Sequence, residues 1–311
     1  MKQQVVVVVG PTAVGKTALS VEIAKAFNGE VISGDSMQIY KGMDIGTAKV
    51  TEAEQQGIPH YMIDIKEPAE SFSVAEFQTL VEGYIEDISQ RGKLPVIAGG
   101  TGLYIQAALY GYEFSETKRD DTYQKKIEKE IEQNGVDAVY ERLKSVDPIQ
   151  AHKIHPNNQR RLVRALEVYD RTGQTMTDNH EKQKAESQYE PILIGLEMER
   201  SRLYERINLR VDQMIEQGLM EEVEYFFNNG YEHSQSMKAI GYKEFIPYFK
   251  GDQSKEQAVE LLKRNSRRYA KRQMTWFKNK MDVDWYSILP EKKDAVFQNI
   301  LSNLAGKIRL K

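Results

Sequence analysis

The first twenty residues constrain the fold of this chain more than any other stretch. Five consecutive valines, Val5–Val9, run directly into Gly10-Pro-Thr-Ala-Val-Gly-Lys-Thr17. A run of β-branched residues predicts a buried strand, and the glycine-rich turn leads into an amphipathic helix that opens at Lys16. This is the context of a phosphate-binding P-loop. We therefore predict an α/β protein whose core is a parallel sheet with helices on both faces.

The residues of this loop suit the binding of an anion. Gly10 and Gly15 allow the backbone conformations that close the loop, so that its N–H groups and the helix N-terminus converge on a phosphate. Lys16 adds a positive charge, and Thr17 offers a hydroxyl to a magnesium ion. The predicted anion-binding set is Gly10, Pro11, Thr12, Ala13, Val14, Gly15, Lys16 and Thr17. The loop alone does not say which phosphate compound it holds.

Composition excludes several classes of protein. A chain of 311 residues with 40% hydrophobic and 29% charged residues is typical of one large or two modest globular domains. Without cysteine there is no disulfide framework, thiolate metal site or cysteine nucleophile. No apolar run approaches the roughly 20 residues that span a bilayer, and the N-terminus lacks a signal-peptide pattern. We expect a cytoplasmic protein with no membrane association.

Two more predicted strands end in polar residues. The strand over 31–33 is followed by Gly34 and Asp35, and the strand over 94–98 is followed by a glycine turn and Thr101. The carboxyl ends of parallel strands meet at the ligand-binding edge of an α/β sheet, so Asp35 and Thr101 are predicted to lie near the P-loop. On spacing alone, Asp35 either contacts a ligand or caps the turn that follows it. A further short strand is predicted over 59–65.

The character of the chain changes twice. We predict the first part of the α/β core over 1–111, and over 112–190 a mostly helical insertion made of short charged helices. Residues 191–198 restore a buried strand pattern, and from there a helical C-terminal region runs to residue 311. The long helix after this strand carries Arg206 and Arg210 one turn apart and breaks at Gly218.

Basic charge is concentrated although the formal net charge is −3. Between Leu261 and Met281 there are eight basic residues and no acidic one: Lys263, Arg264, Arg267, Arg268, Lys271, Arg272, Lys278 and Lys280. Arg160, Arg161 and Arg164 form a second group beside Gln159 in the insertion. Such segregation is typical of contact with a nucleic-acid backbone, the alternative being a solvated helix face with its aromatic residues in the core.

The remaining motifs argue against several nucleotide-driven proteins. Motor and helicase ATPases have a hydrophobic strand that ends in a metal-holding Asp, whereas the strand over 94–98 ends in Ala98-Gly-Gly and Asp64 is a weak substitute. A kinase acting on a small metabolite remains possible. The missing second metal ligand indicates that the P-loop holds a diphosphate leaving group.

Seven segments together resemble the tRNA dimethylallyltransferases, also called tRNA isopentenyltransferases. They are GPTAVGKT (10–17), GDSMQIY (34–40), DIGTAK (44–49), AGGTGLY (98–104), NNQRRLVRALEVY (157–169), ERINLRVDQMIEQGL (205–219) and AIGYKE (239–244). The resemblance implies transfer of a dimethylallyl group from dimethylallyl diphosphate to N6 of adenosine 37, beside the anticodon of tRNAs that read codons beginning with U. The rival interpretations are a P-loop kinase of a small metabolite and a non-catalytic RNA-binding ATPase.

The resemblance also implies roles for particular residues. Asp35 is expected to hold and deprotonate N6, Thr101 to contact substrate near the reacting centre, and Arg210 to contact the diphosphate; for Arg210 the alternative is an exposed helix cation. Mg²⁺ is the expected cofactor, with Thr17 as a ligand. We expect a monomer that grips the anticodon stem-loop. The expected tRNA contacts are Asp35, Ser36, Met37, Gln38, Gln159, Arg160, Arg161, Leu162, Val163, Arg267 and Arg268.

Overall fold

The five valines lie in the first strand of a parallel sheet. The structure is a computed structural model, and it describes residues 2–112, 121–181 and 186–309. The strands in these residues are β1 Gln4–Val9, β2 Gly29–Ser33, β3 His60–Tyr61, β4 Leu94–Gly99, β5 Glu190–Glu197 and β6 Asp284–Ser287. All of them pair in parallel, in the spatial order β3-β2-β4-β1-β5-β6.

Helices connect the strands and make up most of the remaining regular structure. In chain order they are α1 Lys16–Ala26, α2 Glu52–Gln55, α3 Val74–Gln90, α4 Gly102–Tyr110, α5 Asp121–Val146, α6 Pro148–Lys153, α7 Gln159–Thr172, α8 Met176–Glu181, α9 Arg200–Glu216, α10 Leu219–Asn228, α11 Ile246–Phe249, α12 Lys255–Lys280 and α13 Lys293–Ala305. No helix in the described ranges combines the length and the apolar character that crossing a membrane requires.

Both faces of the sheet are buried. Val6 and Val8 of β1 belong to one apolar cluster together with Ile23 of α1 and Ile300 of α13. Because successive side chains of a strand point to opposite faces, the alternate valines of β1 face the other side, and they are also fully buried. Helix α3 packs against β2 and β4. The predicted fold class, an α/β core with a parallel sheet, is confirmed.

The chain forms two compact units. The first comprises Met1–Leu109 with Ser187–Lys311, and the second comprises Tyr110–Glu186. In the second unit, α5 is kinked at Gly135, and helices α5 to α7 enclose a core around Ile127, Leu143 and Leu166. The helical insertion predicted over 112–190 includes residues 113–120 and 182–185, which lie outside the described residues. That this segment grips tRNA stays a prediction.

Two predictions of secondary structure differ from the structure in detail. The strand expected over 59–65 is only His60–Tyr61, because Met62 and Asp64 adopt left-handed backbone conformations with φ of 64° and 54°. The C-terminal region is not wholly helical, since it contains β6. This strand pairs with β5, where Trp285 packs so closely that a Cβ on Gly195 would lie 2.5 Å from its ring.

A buried carboxylate ties the amino-terminal edge of the sheet together. The side chain of Glu30 in β2 is 1% exposed, and it accepts hydrogen bonds from both Arg91 Nη atoms at 2.7 and 2.6 Å. It also accepts from Lys93 Nζ at 2.6 Å and from the Tyr61 hydroxyl at 2.7 Å. The bonds from Arg91 are the main reason that the pKa of Glu30 falls from 4.5 to about 2.

We predict that Glu30→Gln lowers the free energy of unfolding at pH 7 by about 2–3 kcal/mol, because it leaves two cations without their carboxylate. The carboxylate of Glu30 stabilises the fold fully above the unfolded-state pKa of 4.5, and this contribution is lost as the pH falls toward about 2. The difference between wild type and variant in urea unfolding should therefore shrink across that range.

A matched control is Asp284→Asn, which removes an exposed ion pair with Lys307 of 2.7 Å. Exposed pairs contribute little, so this variant should unfold close to wild type. If the free energies of unfolding of wild type and Glu30→Gln differ by the same amount from pH 7 to pH 2, the assigned role of the carboxylate is contradicted.

Candidate active site

Three strand-end loops meet at the carboxyl edge of the sheet. Strands β2, β4 and β1 are neighbours, so the loops that carry Asp35, Thr101 and the P-loop emerge side by side. The Gly34 N–H donates to the Ala98 carbonyl at 2.8 Å. A Cβ on Gly99 would lie only 2.3 Å from the Gly34 carbonyl oxygen. Glycine at position 99 is therefore what allows the Asp35 and Thr101 loops to touch.

The P-loop has the conformation that its glycines were expected to allow. Gly10 and Gly15 have φ of 147° and 110°, and Gly15 is the N-cap residue of α1, directly before its first residue Lys16. Lys16 Nζ donates to the Pro11 carbonyl at 2.7 Å, so the lysine folds back over the loop. Val14, in contrast, is 2% exposed and packs in the apolar cluster beneath the loop. Its side chain anchors the loop rather than lining the site.

Asp35 caps the turn after β2. Its Oδ1 accepts a hydrogen bond from the Met37 N–H at 2.8 Å, as the capping interpretation predicted. Burial in the cleft raises the pKa of Asp35, and this effect is opposed by the Met37 bond and by the charges of Lys16 and Arg210. Asp35 is thus both a turn cap and a carboxylate held close to two cations.

The cations of the site are desolvated as well. Burial lowers the pKa of Lys16 to about 8, against the attraction of Asp35 and with a smaller contribution from Arg210. Burial also lowers the pKa of Arg210, while Glu54 and Asp35 oppose the shift. Arg206, one turn earlier on α9, donates from Nε to the Ala13 carbonyl at 3.0 Å. Arg210 is partly buried, and its charge interacts with Asp35 and Glu54.

Thr101 links the loops through its backbone and its side chain. Its N–H donates to the Gly34 carbonyl at 3.3 Å, and its Oγ1 accepts from the Ser36 N–H at 3.3 Å. Tyr269, from α12, lies beside Thr101. Burial, with the charge of Asp35 second, raises the pKa of Tyr269 to about 12. Its hydroxyl therefore stays protonated and can donate.

A magnesium ion fits the site only as a companion of a phosphate. Thr17 is exposed in the first turn of α1, directly after Gly15 and Lys16 of the phosphate-binding loop. Among the described residues, no group of three or more His, Cys, Asp or Glu side chains could hold a metal ion. Mg²⁺ often keeps several waters and binds through substrate phosphates with few protein ligands, so one hydroxyl at the cradle suits it.

The residues after Asp35 are engaged with the protein. Gln38 donates from Nε2 to the Ala48 carbonyl at 3.1 Å and accepts at Oε1 from the Ser33 hydroxyl at 2.9 Å. It therefore ties the end of β2 to the DIGTAK segment. Ser36 and Met37 are partly buried on the same turn.

The predicted contacts in the second unit divide by burial. Gln159, Arg160 and Arg161 are exposed at the start of α7. Leu162 and Val163 are 0% and 6% exposed, and their side chains belong to the core of that unit. Only the first three present their side chains to solvent.

The basic residues of α12 also differ from one another. Lys263 pairs with Asp212 at 2.6 Å, and Lys278 pairs with Glu197 at 2.7 Å. Arg267 is partly buried and donates to Asn208 Oδ1 at 2.6 Å, which fastens α12 to α9. Arg268 is exposed and has no ion-pair partner in the part of the chain that the structure describes. Fewer basic side chains of α12 are therefore available to a ligand than the sequence suggested.

Sequence reasoning missed two elements of the site. The first is Gln273 of α12, which packs against the loops together with Tyr269 and Trp276. The glycines at 100 and 102 were the sequence signal for this contact, since they leave room for the side chains of Gln273 and Trp276. The second is Glu222 of α10. Its carboxylate accepts from the N–H groups of Asp44, Ile45 and Gly46 at 2.9, 2.8 and 3.0 Å and so holds the DIGTAK segment.

Comparison with known proteins points to one family. The family model described as "IPP transferase" matches residues 38–280. A protein of Oceanobacillus iheyensis named tRNA dimethylallyltransferase is 59% identical over 306 residues, which is 98% of either chain. A crystal structure of tRNA delta(2)-isopentenylpyrophosphate transferase from Staphylococcus epidermidis is 50% identical with a TM-score of 0.74, and covers 99% of this chain and 100% of that one. A eukaryotic dimethylallyltransferase described as acting on tRNA is 32% identical with a TM-score of 0.83, and covers 99% of this chain and 81% of that one.

The lowered pKa of Lys16 predicts how diphosphate binding depends on pH. The affinity for inorganic diphosphate should fall as the pH rises through about 8, because Lys16 loses its charge in the free protein. Lys16→Arg keeps the charge at all these values and should lack this decline. Titration calorimetry from pH 7 to pH 9.5 measures the diphosphate affinity of both proteins. The ionisation of the ligand is the same for both and cancels when their affinities are compared. Parallel curves for the two proteins would contradict the assignment.

Proposed function

The chain belongs to the IPP transferase family, and we propose that it transfers a dimethylallyl group from dimethylallyl diphosphate to N6 of adenosine 37 in tRNA. The proposed product is N6-dimethylallyladenosine, in tRNAs that read codons beginning with U. One observation carries the proposal: the turn that holds Asp35 and the P-loop emerge at the same carboxyl edge of the sheet, where the charge of Asp35 interacts with Lys16 and with Arg210. A base therefore stands opposite an anion cradle, as this reaction requires.

The cradle suits a diphosphate leaving group. The N–H groups of residues 13–17 lie at the N-terminus of α1, where the cap residue Gly15 supplies no side-chain acceptor, and Lys16 and Arg210 add two positive charges. Fixed donors and cations in a desolvated site stabilise charge that develops as the diphosphate departs. We propose that Thr17 holds Mg²⁺ together with the diphosphate. When bound, the ion neutralises phosphate charge.

Asp35 suits the role of general base. In the proposed step, the N6 lone pair attacks the allylic C1 carbon, and the bond from C1 to the diphosphate oxygen breaks with its electron pair on the oxygen. A proton passes from N6 to a carboxylate oxygen of Asp35. Because burial raises the pKa of Asp35, its carboxylate is a stronger base than one in water. The partly buried Thr101 and the protonated Tyr269 supply hydroxyls beside this base.

A polyanionic substrate suits the exposed cations. Arg268 on α12 of the first unit, and Arg160 and Arg161 on α7 of the second, present unburied guanidinium groups. We propose that they contact the phosphates of the anticodon stem-loop, with Ser36 and Met37 near the adenosine. The adenine has to leave its stack to reach Asp35, which costs a few kcal/mol that phosphate contacts offset. One unit supplies every residue of the proposed catalytic cleft, which supports action as a monomer.

The direct test is incubation with labelled dimethylallyl diphosphate, Mg²⁺ and unmodified tRNA. We expect label in tRNA without any nucleotide present. A parallel incubation with added ATP tests the rivals: phosphorylation of a metabolite would support the kinase, and ATP turnover without label in tRNA would support the RNA-binding ATPase.

The variant Asp35→Asn separates the role of Asp35 as a general base from its role as a turn cap. Asparagine caps a turn as well as aspartate does, so the fold and tRNA binding should persist. Loss of a general base should lower kcat by roughly 10²- to 10⁴-fold. The measurement is single-turnover transfer together with the melting temperature. A folded variant with wild-type kcat would contradict the role of Asp35 as base.

The cations of α12 give a further prediction. Arg268→Ala should weaken tRNA binding and reduce the slope of log K against log salt by about 0.7–0.9, the share of one phosphate contact. Lys278→Ala, on the same helix but already paired with Glu197, is the matched control and should leave the slope unchanged. Filter binding between 50 and 300 mM salt measures both, and equal slopes for wild type and Arg268→Ala would exclude Arg268 as a contact.

A further inference from the structure

One amide from α12 bridges two of the three loops. Gln273 is 5% exposed. Its Oε1 accepts a hydrogen bond from the Thr12 N–H at 2.9 Å, and its Nε2 donates to the Gly100 carbonyl at 3.1 Å. A buried amide whose acceptor and donor are both satisfied by backbone holds its two partners in one geometry.

The site is shaped to receive this amide. A Cβ on Gly100 would lie 2.0 Å from Gln273 Nε2, so residue 100 has to be glycine for the bridge to exist. One turn earlier on the helix, Tyr269 lies beside Gln273 and Thr101. Arg267, with its bond to Asn208, fastens this part of α12 to α9. The helix is thus a fixed support from which the amide reaches the loops.

The two bridged loops carry the two halves of the chemistry. Thr12 lies in the P-loop between Gly10 and Lys16. Gly100 precedes Thr101, whose Oγ1 accepts from the N–H of Ser36, next to Asp35. A continuous series of hydrogen bonds therefore runs from the anion cradle through Gln273 to the turn that holds the base.

We propose that Gln273 is a positioning residue that sets the separation between the diphosphate cradle and Asp35. The proposal rests on the proposed function. Gln273 acts through Thr12 and Gly100 and does not touch the reacting atoms. Displacing groups by about 1 Å from the reacting geometry can cost roughly 10²-fold in rate, so loss of the bridge should appear in kcat.

The first test compares Gln273→Leu with Gln235→Leu. Gln235 is the matched control because its amide also bridges backbone groups, accepting from the Phe72 N–H at 3.3 Å and donating to the Phe72 carbonyl at 2.7 Å. Both variants lose two side-chain hydrogen bonds and some stability. Gln273→Leu should lower kcat about 10- to 100-fold with the KM for tRNA within twofold, while Gln235→Leu keeps kcat. Equal kcat for the two folded variants would overturn the proposal.

The second test uses Gln273→Glu. A protonated glutamic acid can still accept from Thr12 and donate to Gly100, whereas the carboxylate cannot donate. The ratio of its kcat to that of wild type should rise as the pH falls from 8 to 5, because the side chain at position 273 regains its donor when it is protonated. The ratio for Gln273→Leu should stay flat. A flat ratio for both variants would show that the amide only fills space.

The transfer rates of wild type and Gln273→Leu distinguish an error in the positioning role from an error in the proposed function. If wild type transfers label and Gln273→Leu does so at the wild-type rate, only the positioning role is wrong. If wild type transfers nothing, the proposed function is wrong. The bridge is then judged by calorimetry, in which Gln273→Leu has to bind inorganic diphosphate more weakly than Gln235→Leu does.

Discussion

The site depends on a carboxylate and two cations that share one desolvated cleft at the edge of the sheet. Without Asp35, Lys16 and Arg210 would face each other in a place where burial already lowers the pKa of both. Without the cations, burial alone would favour the neutral form of Asp35. An incoming diphosphate places its negative charge beside the two cations. The carboxylate of Asp35 then remains as the group that can accept a proton. The balance is therefore suited to receive an anion on one side and a proton on the other.

Close backbone contact creates this cleft. Parallel strands bring their carboxyl ends to one edge, but only small residues allow the loops to touch there. A Cβ on Gly99 would collide with Gly34, one on Gly100 with Gln273, and one on Gly102 with Trp276. The glycines that looked like turn residues in the sequence are thus packing residues. Helix α12 fills the space that they leave and connects the cradle to the turn of Asp35.

Much of this could be predicted from sequence because the signals were local. The valine run, the P-loop and the strand ends place the cradle beside Asp35 through strand geometry alone. Contacts between distant segments escaped prediction. β6 is too short for its alternation to be recognised, and Gly100 signals room for a packed side chain without indicating that this side chain is a glutamine of a distant helix. The basic stretch was overestimated as a free surface because Asp212 and Glu197, which pair with two of its lysines, lie on other elements.

The most direct test is a crystal structure of the protein with tRNA and an analogue of dimethylallyl diphosphate whose bridging oxygen is sulfur, so that the allyl group does not leave. We expect diphosphate oxygens on the N–H groups of residues 13–17 and on Lys16. We also expect the flipped adenine with its N6 within hydrogen-bonding distance of the Asp35 carboxylate. A diphosphate bound away from the P-loop, or an adenine whose N6 points away from Asp35, would contradict this expectation.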